Sequence, residues 1–320
     1  MIREELISEL QFVIKEDVEK TLNIFVTTDT TGLQLFNIVD RDLNELTGMF
    51  SLSINTVAIE KEYVIEDYST SLKREGVLHI YDLDDQQTEE MVRMAEVVGI
   101  QEPEYFDKSV THIERINGIY VVIKDVDNQH SLTLFKKITN VDKAYASSAF
   151  FIFGKENRLF ERQKENMLRI SPSFQMMRIN EKIIITDLDK LEKPLHLDAI
   201  LQKETERDVK TLGKGLITNN EHLMSVCQKP KNCQKLRHAL QKSKVVVKLK
   251  DGSLDVRKII DFVKNKTTLK FHYNRDGSKF ELKSEAEAIR FIKLMDDDYL
   301  LSELTGEKYD SGLKDSMMGR

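Results

Sequence analysis

Between His112 and Asp187 apolar side chains recur at every second position, in runs of Val, Ile and Phe broken at roughly 8 to 12 residue intervals by turn formers. A period of two sends alternate residues to opposite faces of a strand. Strands joined in succession by short turns pair antiparallel, so this stretch commits the chain to a sheet. The alternation predicts strands over Ile119–Val126, Ser131–Ile138, Ala149–Phe153, Arg158–Glu161 and Lys182–Thr186. The breaks fall at Asp127-Asn128, Asn140, Gly154 and Asn180-Glu181.

Helical periods flank the sheet. Ile2, Leu6, Leu10 and Val13 line one face of an opening helix. Strands are expected at Leu22–Thr27 and Leu33–Val39, on either side of a turn ending at Gly32. Asp40 reads as the N-cap of a short helix to Leu46, Ser53–Ile65 as strand-like and Gly76–Tyr81 as a strand. A helix follows over Thr88–Val98, stopped by Gly99. After Pro194 a helix is expected over Leu195–Leu212, ended by Gly213 and Gly215. Beyond it come a short helix at Cys233–Gln241, a strand at Val245–Leu249 and a helical face from Leu254 to Val263. A hairpin, Leu269–Tyr273 with Ser278–Leu282, turns at Asp276-Gly277, and Ser284 with Glu287 reads as a capping box for a last helix. The fold class is α+β, a mixed N-terminal region with an antiparallel sheet followed by a basic α+β C-terminal part. At 320 residues two domains are expected, an acidic one over 1–190 and a basic one over 191–320 that ends in a helix.

Charge is sorted along the chain. From His222 to Lys250 there is no Asp or Glu, and from Lys229 to Lys293 there are 18 Lys and Arg against 7 Asp and Glu, although the whole chain carries a net −6. A like-charge block repels itself, and a polyanion relieves that repulsion. Lys229, Lys231, Lys235, Arg237, Lys242, Lys244, Lys248, Lys250, Arg257 and Lys258 are therefore the candidate contacts to a DNA phosphate backbone. Lys229 and Lys231 precede a helix that carries Lys235, His238 and Lys242 on one side. Lysine outnumbers arginine in this region and acts as a point charge on phosphate, whereas base reading favours bidentate Arg, Asn or Gln, so weak sequence preference follows. Phe271 and Tyr273 can stack on bases, but their alternation on a strand favours core packing.

Other chemistry is less well supported. His222, Cys227, Cys233 and His238 have poor spacing for a zinc knuckle. Asp251, Glu281 and Lys283 mimic the carboxylates and lysine of a Mg-dependent nuclease, yet Asp251 belongs to an Asp-Gly turn and needs no further reason. Asp82–Asp85 and Asp296–Asp298 lack the spacing of a calcium loop. Nucleotide-binding and acyl-transfer signatures are missing. No catalytic residue, metal site or cofactor is assigned. Two cysteines, no long apolar run and no secretory signal point to a cytoplasmic protein that meets a membrane only through a partner.

Phe135-Lys136-Lys137-Ile138, the run from Phe151 to Asp187, and the ending Leu294-Met295-Asp296-Asp297-Asp298-Tyr299 with Leu304-Thr305-Gly306 and Tyr309 together resemble the KwaB family, the soluble component of the bacterial Kiwa anti-phage defence system. The likeness covers most of the chain, more clearly after Leu132, and rests on a long pattern with no short catalytic signature. It implies a protein that binds DNA with little sequence preference and works with KwaA, a small integral membrane protein. It further implies a homodimer or higher homo-oligomer that interferes with phage DNA replication and expression. It places no DNA contact residue by residue, so the ten candidates rest on charge alone. A Mg-dependent nuclease and a non-catalytic assembly protein that binds an acidic partner or lipid are the alternatives.

Overall fold

The computed structural model describes residues 2–15, 17–127, 129–144, 152–156, 159–162, 166–266, 269–296, 299–301 and 308–310. Asn128, Ala149–Phe151, Arg158, Asp297, Asp298 and most of the stretch beyond Leu301, all used in the sequence reading, lie outside them. The chain forms two compact units, Met1–Ile65 with Glu75–Leu195, and Glu66–Arg74 with His196–Arg320. The fold is α+β.

In the first unit α1 (Arg3–Glu9), α2 (Gln11–Ile14), β1 (Lys20–Thr28) and β2 (Gln34–Leu35) precede α3 (Asp40–Asn55), β3 (Val64–Asp67), whose last two residues fall in the second unit, β4 (Val77–Ile80) and α4 (Glu89–Glu96). The chain continues through β5 (Ile116–Asp125), β6 (Ser131–Lys137), β7 (Lys143–Ala144), β8 (Ile152–Glu156), β9 (Leu159–Arg162) and β10 (Met167–Leu168). It ends in β11 (Met176–Ile179), β12 (Lys182–Ile185) and α5 (Leu188–Leu191). One eight-stranded sheet runs in the order β2-β1-β5-β6-β11-β12-β4-β3, and its pairings from β2 to β4 are antiparallel.

Alternation decides which face meets which helix. Leu22, Ile24 and Val26 of β1, Ile119, Val121 and Ile123 of β5, and Leu132 and Leu134 of β6 form one buried cluster with Leu6, Leu10, Val13, Phe50 and Ile54 of α1 to α3. The intervening Phe25, Tyr120 and Phe135 are buried too, and α4 packs against β6. Each such side chain taken fully from water contributes about 1.5–3 kcal/mol.

Two features of this sheet are sensitive to single changes. Where β1 meets β5 the register shifts after Thr27, which lies opposite Gly118, and Thr27 Oγ1 donates to Asn117 Oδ1 at 2.9 Å. A Cβ on Gly118 would stand 2.9 Å from Thr27 Oγ1 and 3.1 Å from a ring carbon of the buried Phe135. Gly118→Ala is expected to lower stability by about 1–3 kcal/mol, read as a drop in the urea midpoint with unchanged m-value. The second feature is an ion pair inside the fold. Lys136 of β6, 8% exposed, donates to Asp142 Oδ1 and to Ser171 Oγ, both at 2.7 Å. Asp142 Oδ2 also accepts from the Thr139 amide and hydroxyl at 3.1 and 3.0 Å.

The first unit corrects two sequence expectations. The helix from Asp40 does not stop at Leu46 but runs to Asn55 and on through a π-helical stretch at Thr56–Glu60, so Ser53–Ile65 is not one strand. Phe50, Ile54 and Ala58, spaced by four, are all buried, and that line outweighs the local alternation. Leu33–Val39 keeps only the two residues of β2.

The second unit holds α6 (Leu197–Leu216), α7 (Glu221–Val226), α8 (Pro230–Lys242), α9 (Lys244–Lys250), α10 (Val256–Lys266), β13 (His272–Tyr273), β14 (Phe280–Glu281), α11 (Glu285–Met295), β15 (Tyr299–Leu301) and β16 (Lys308–Asp310). Helix α8 packs on α6, α9 and α11. The expected strand at Val245–Leu249 is α9. Ser243 Oγ accepts from the Val245 amide at 3.1 Å and donates to the Met295 carbonyl, a cap that starts a helix at this point. Val246 is then the fully buried residue, with Val245 and Leu249 half-buried. Helix α6 runs past Gly213 and Gly215 because Leu216 and Ile217 still enter the core. Pro230 begins α8 earlier than expected, at a first-turn position where its missing N–H has no cost. Ser284 caps α11 as predicted, but Glu287 turns its carboxylate to the Lys283 amide and to His272, so the reciprocal half of the box is not made.

Candidate nucleic-acid interface

The helical period sorts the basic segment into two populations. On α8 the side chains of Cys233, Leu236, Arg237 and Leu240 are buried, and the opposite stripe carries Lys231, Lys235, His238 and Lys242. Lys229, at the cap position, and Lys231 are exposed. Lys242 is exposed and pairs with Asp67 at 3.1 Å, while His238 Nδ1 meets Asp296 at 2.7 Å. On α9 Lys244, Lys248 and Lys250 are exposed, and Lys250 Nζ donates to the Leu240 carbonyl at 2.9 Å. Arg257 and Lys258 are exposed in the first turn of α10.

Arg237 is a correction to the candidate set. It is 6% exposed, and its Nη1 donates to Asp208 Oδ2 of α6 at 2.7 Å, so it joins two helices and is withdrawn from the solvent-facing cations. Cys233 and Leu240, four before and three after it, gave the phase that places it inward; the charge run hid it.

The competing motifs take ordinary roles. Asp251 accepts from the Ser253 amide at 2.8 Å within its own turn, and Glu281 pairs with Lys283 at 3.5 Å. Cys233 Sγ donates to the Cys227 carbonyl, both thiols are buried, and His238 is engaged by Asp296. Among the described residues no group of three or more His, Cys, Asp or Glu is placed to hold a metal ion. Phe271 and Tyr273 both pack on Phe280, at ring distances of 5.1 and 5.6 Å, and Phe280 packs on Phe291. Phe280 and Phe291 are buried, and Phe271 and Tyr273 lie half-buried against them.

One feature was missed by reading the sequence. A pocket of about 410 Å³ opens within the second unit, walled by Leu216, Leu240, Val246, Leu249 and Val256, with Asp208, Gln241 and Lys250 as its polar lining. Burial raises the Asp208 pKa above the usual carboxylate value, against the opposing pull of Arg237. Its residues come from α6, α8, α9 and α10, across 49 positions of sequence, and no short-range pattern announces such a convergence.

No helix among the described residues is long and apolar enough to cross a membrane. Residues 113–305 match the family described as Kiwa protein KwaB-like. The chain is 25% identical over 317 residues to Kiwa protein KwaB of Escherichia coli O55:H7 (strain RM12579 / EPEC), a similarity that covers 95% of this chain and 98% of that protein. No solved structure matches it.

Proposed function

Since the chain belongs to the KwaB-like family of Kiwa proteins, and is on that ground a component of Kiwa anti-phage defence, we propose that it acts there as a non-sequence-specific DNA-binding effector. Its lysines neutralise backbone phosphates and release condensed counterions, and occupancy of the DNA, with no bond cleaved, obstructs phage replication and expression. It does so as a homodimer or higher homo-oligomer, brought to the inner face of the membrane by a KwaA-like integral membrane partner.

The observation that supports this reading is the run of cations over three successive helices. Lys229, Lys231, Lys244, Lys248, Arg257 and Lys258 are all exposed, in a sequence that has no acid between His222 and Lys250. Lysine as the main cation fits backbone contact without base reading.

A mobility shift across a salt series tests it. If about 6 phosphates are neutralised, log affinity for duplex DNA falls against log salt with a slope of about −5, and unrelated duplex sequences bind alike. Affinity that ignores salt, or that tracks one duplex sequence, would sink the proposal.

A further inference from the structure

We propose that the pocket among α6, α8, α9 and α10 receives one unstacked nucleobase, which makes single-stranded DNA the preferred ligand of the basic surface. This rests on the DNA-binding reading above and names the form of DNA. At about 410 Å³ the pocket lies in the ~300–1,000 Å³ range of small-ligand sites, large enough for a base with its sugar. Five aliphatic side chains form its walls and match the faces of a planar ring.

The polar lining suits the edge of a base and not a phosphate. Asp208 Oδ2 accepts from Arg237 Nη1, and a carboxylate accepts from the exocyclic amines of cytosine, adenine and guanine but finds no exocyclic amine on thymine. The Gln241 amide can both donate and accept. A phosphate seated here would meet the Asp208 carboxylate, and Lys250, the cation of the lining, is held by the Leu240 carbonyl at 2.9 Å, so the anionic part of the ligand belongs outside. There the walls continue into cations. Lys244 and Lys248 stand on the helix that supplies Val246 and Leu249, and Arg257 and Lys258 follow Val256 directly; all four are exposed. Phosphates flanking the inserted base meet those side chains. A duplex reaches the same state only by unstacking a base, at a cost of a few kcal/mol, whereas a single strand presents one freely.

Gly215 gives a clean test because it lines the pocket from the last turn of α6, and a Cβ built on it meets nothing within 4 Å. Gly215→Leu starts from a Cβ in open space at the pocket lining, narrows the pocket and raises helix propensity, and a thermal melt checks that the fold is kept. Anisotropy on the full chain at one salt concentration compares oligo-dC, oligo-dT and a duplex of equal phosphate number. The expected result is oligo-dC bound at least tenfold more tightly than the duplex and more tightly than oligo-dT, with Gly215→Leu removing both advantages and leaving duplex affinity unchanged. Equal binding of all three by the native chain, or a Gly215→Leu chain that keeps the oligo-dC preference, overturns the base pocket while the DNA reading stands. Failure to bind any of the three overturns both.

Discussion

Replacing Lys136 with Met is expected to lower the unfolding free energy by about 3–5 kcal/mol, the usual cost of removing one partner from a buried ion pair. The side chains of Lys136 and Asp142 are 10% and 7% exposed, so water does not take the place of the lost ammonium. Asp142 keeps its bonds from Thr139, which places the loss toward the lower end of that range. Replacing both partners, Lys136 with Met and Asp142 with Leu, should recover much of it, because no charge is then left stranded. The acid limb gives the sign. Burial alone would raise the Asp142 pKa, but the bonds from Lys136 and Thr139 hold it below the ordinary value. Its contribution is therefore complete above the unfolded pKa of about 3.9 and disappears as pH falls through the lower folded value. Urea melts at pH 7 and below 4 should show the gap between native and Lys136→Met chains closing on acidification. A gap independent of pH would mean that the pair is not what the substitution breaks.

Reversing four exposed lysines, Lys229, Lys231, Lys244 and Lys248, to Glu should reduce DNA affinity on the order of a thousandfold at about 0.1 M salt. Each lost phosphate contact removes about 0.9 from the salt exponent, so four remove about 3.6, which over the decade of salt below 1 M amounts to several thousandfold. The plot of log affinity against log salt should flatten by the same amount, and every DNA sequence should lose alike. Stability should barely change, since the four side chains are exposed and the substitutions relieve a like-charge block. Arg237 is left out of the set because its loss would unpair Asp208 and confound binding with folding. An unaltered exponent would move the interface to another surface.

Strands β5 and β6 were legible because Ile119, Val121 and Ile123, and Leu132 and Leu134, alternate onto one face and enter one buried cluster, while the intervening Tyr120 and Phe135 are buried on the other. Strand β11 was not read, since Met176 and Met177 have flexible unbranched side chains that carry little strand preference, and its pairing with β6 and β12 defines it. Helix α9 was misread for the opposite reason. Val245, Val246 and Val247 favour a strand locally, and a serine cap with the burial of Val246 overrides them. At the candidate site the sequence carried the charge but not its distribution between inside and outside. Arg237 could have been placed from helical phase; the pocket could not, because it exists only once four helices meet.

The buried guanidinium between α6 and α8 has a further consequence for handling. Mobile ions screen contacts in water more than partly buried ones, so concentrated salt should release DNA held as proposed by the exposed lysines while weakening less the Arg237–Asp208 pair, whose guanidinium is 7% and carboxylate 34% exposed. On the proposed reading, release of cargo and loosening of the scaffold would be decoupled, and a purification that elutes bound polymer with concentrated salt should return the helices still docked.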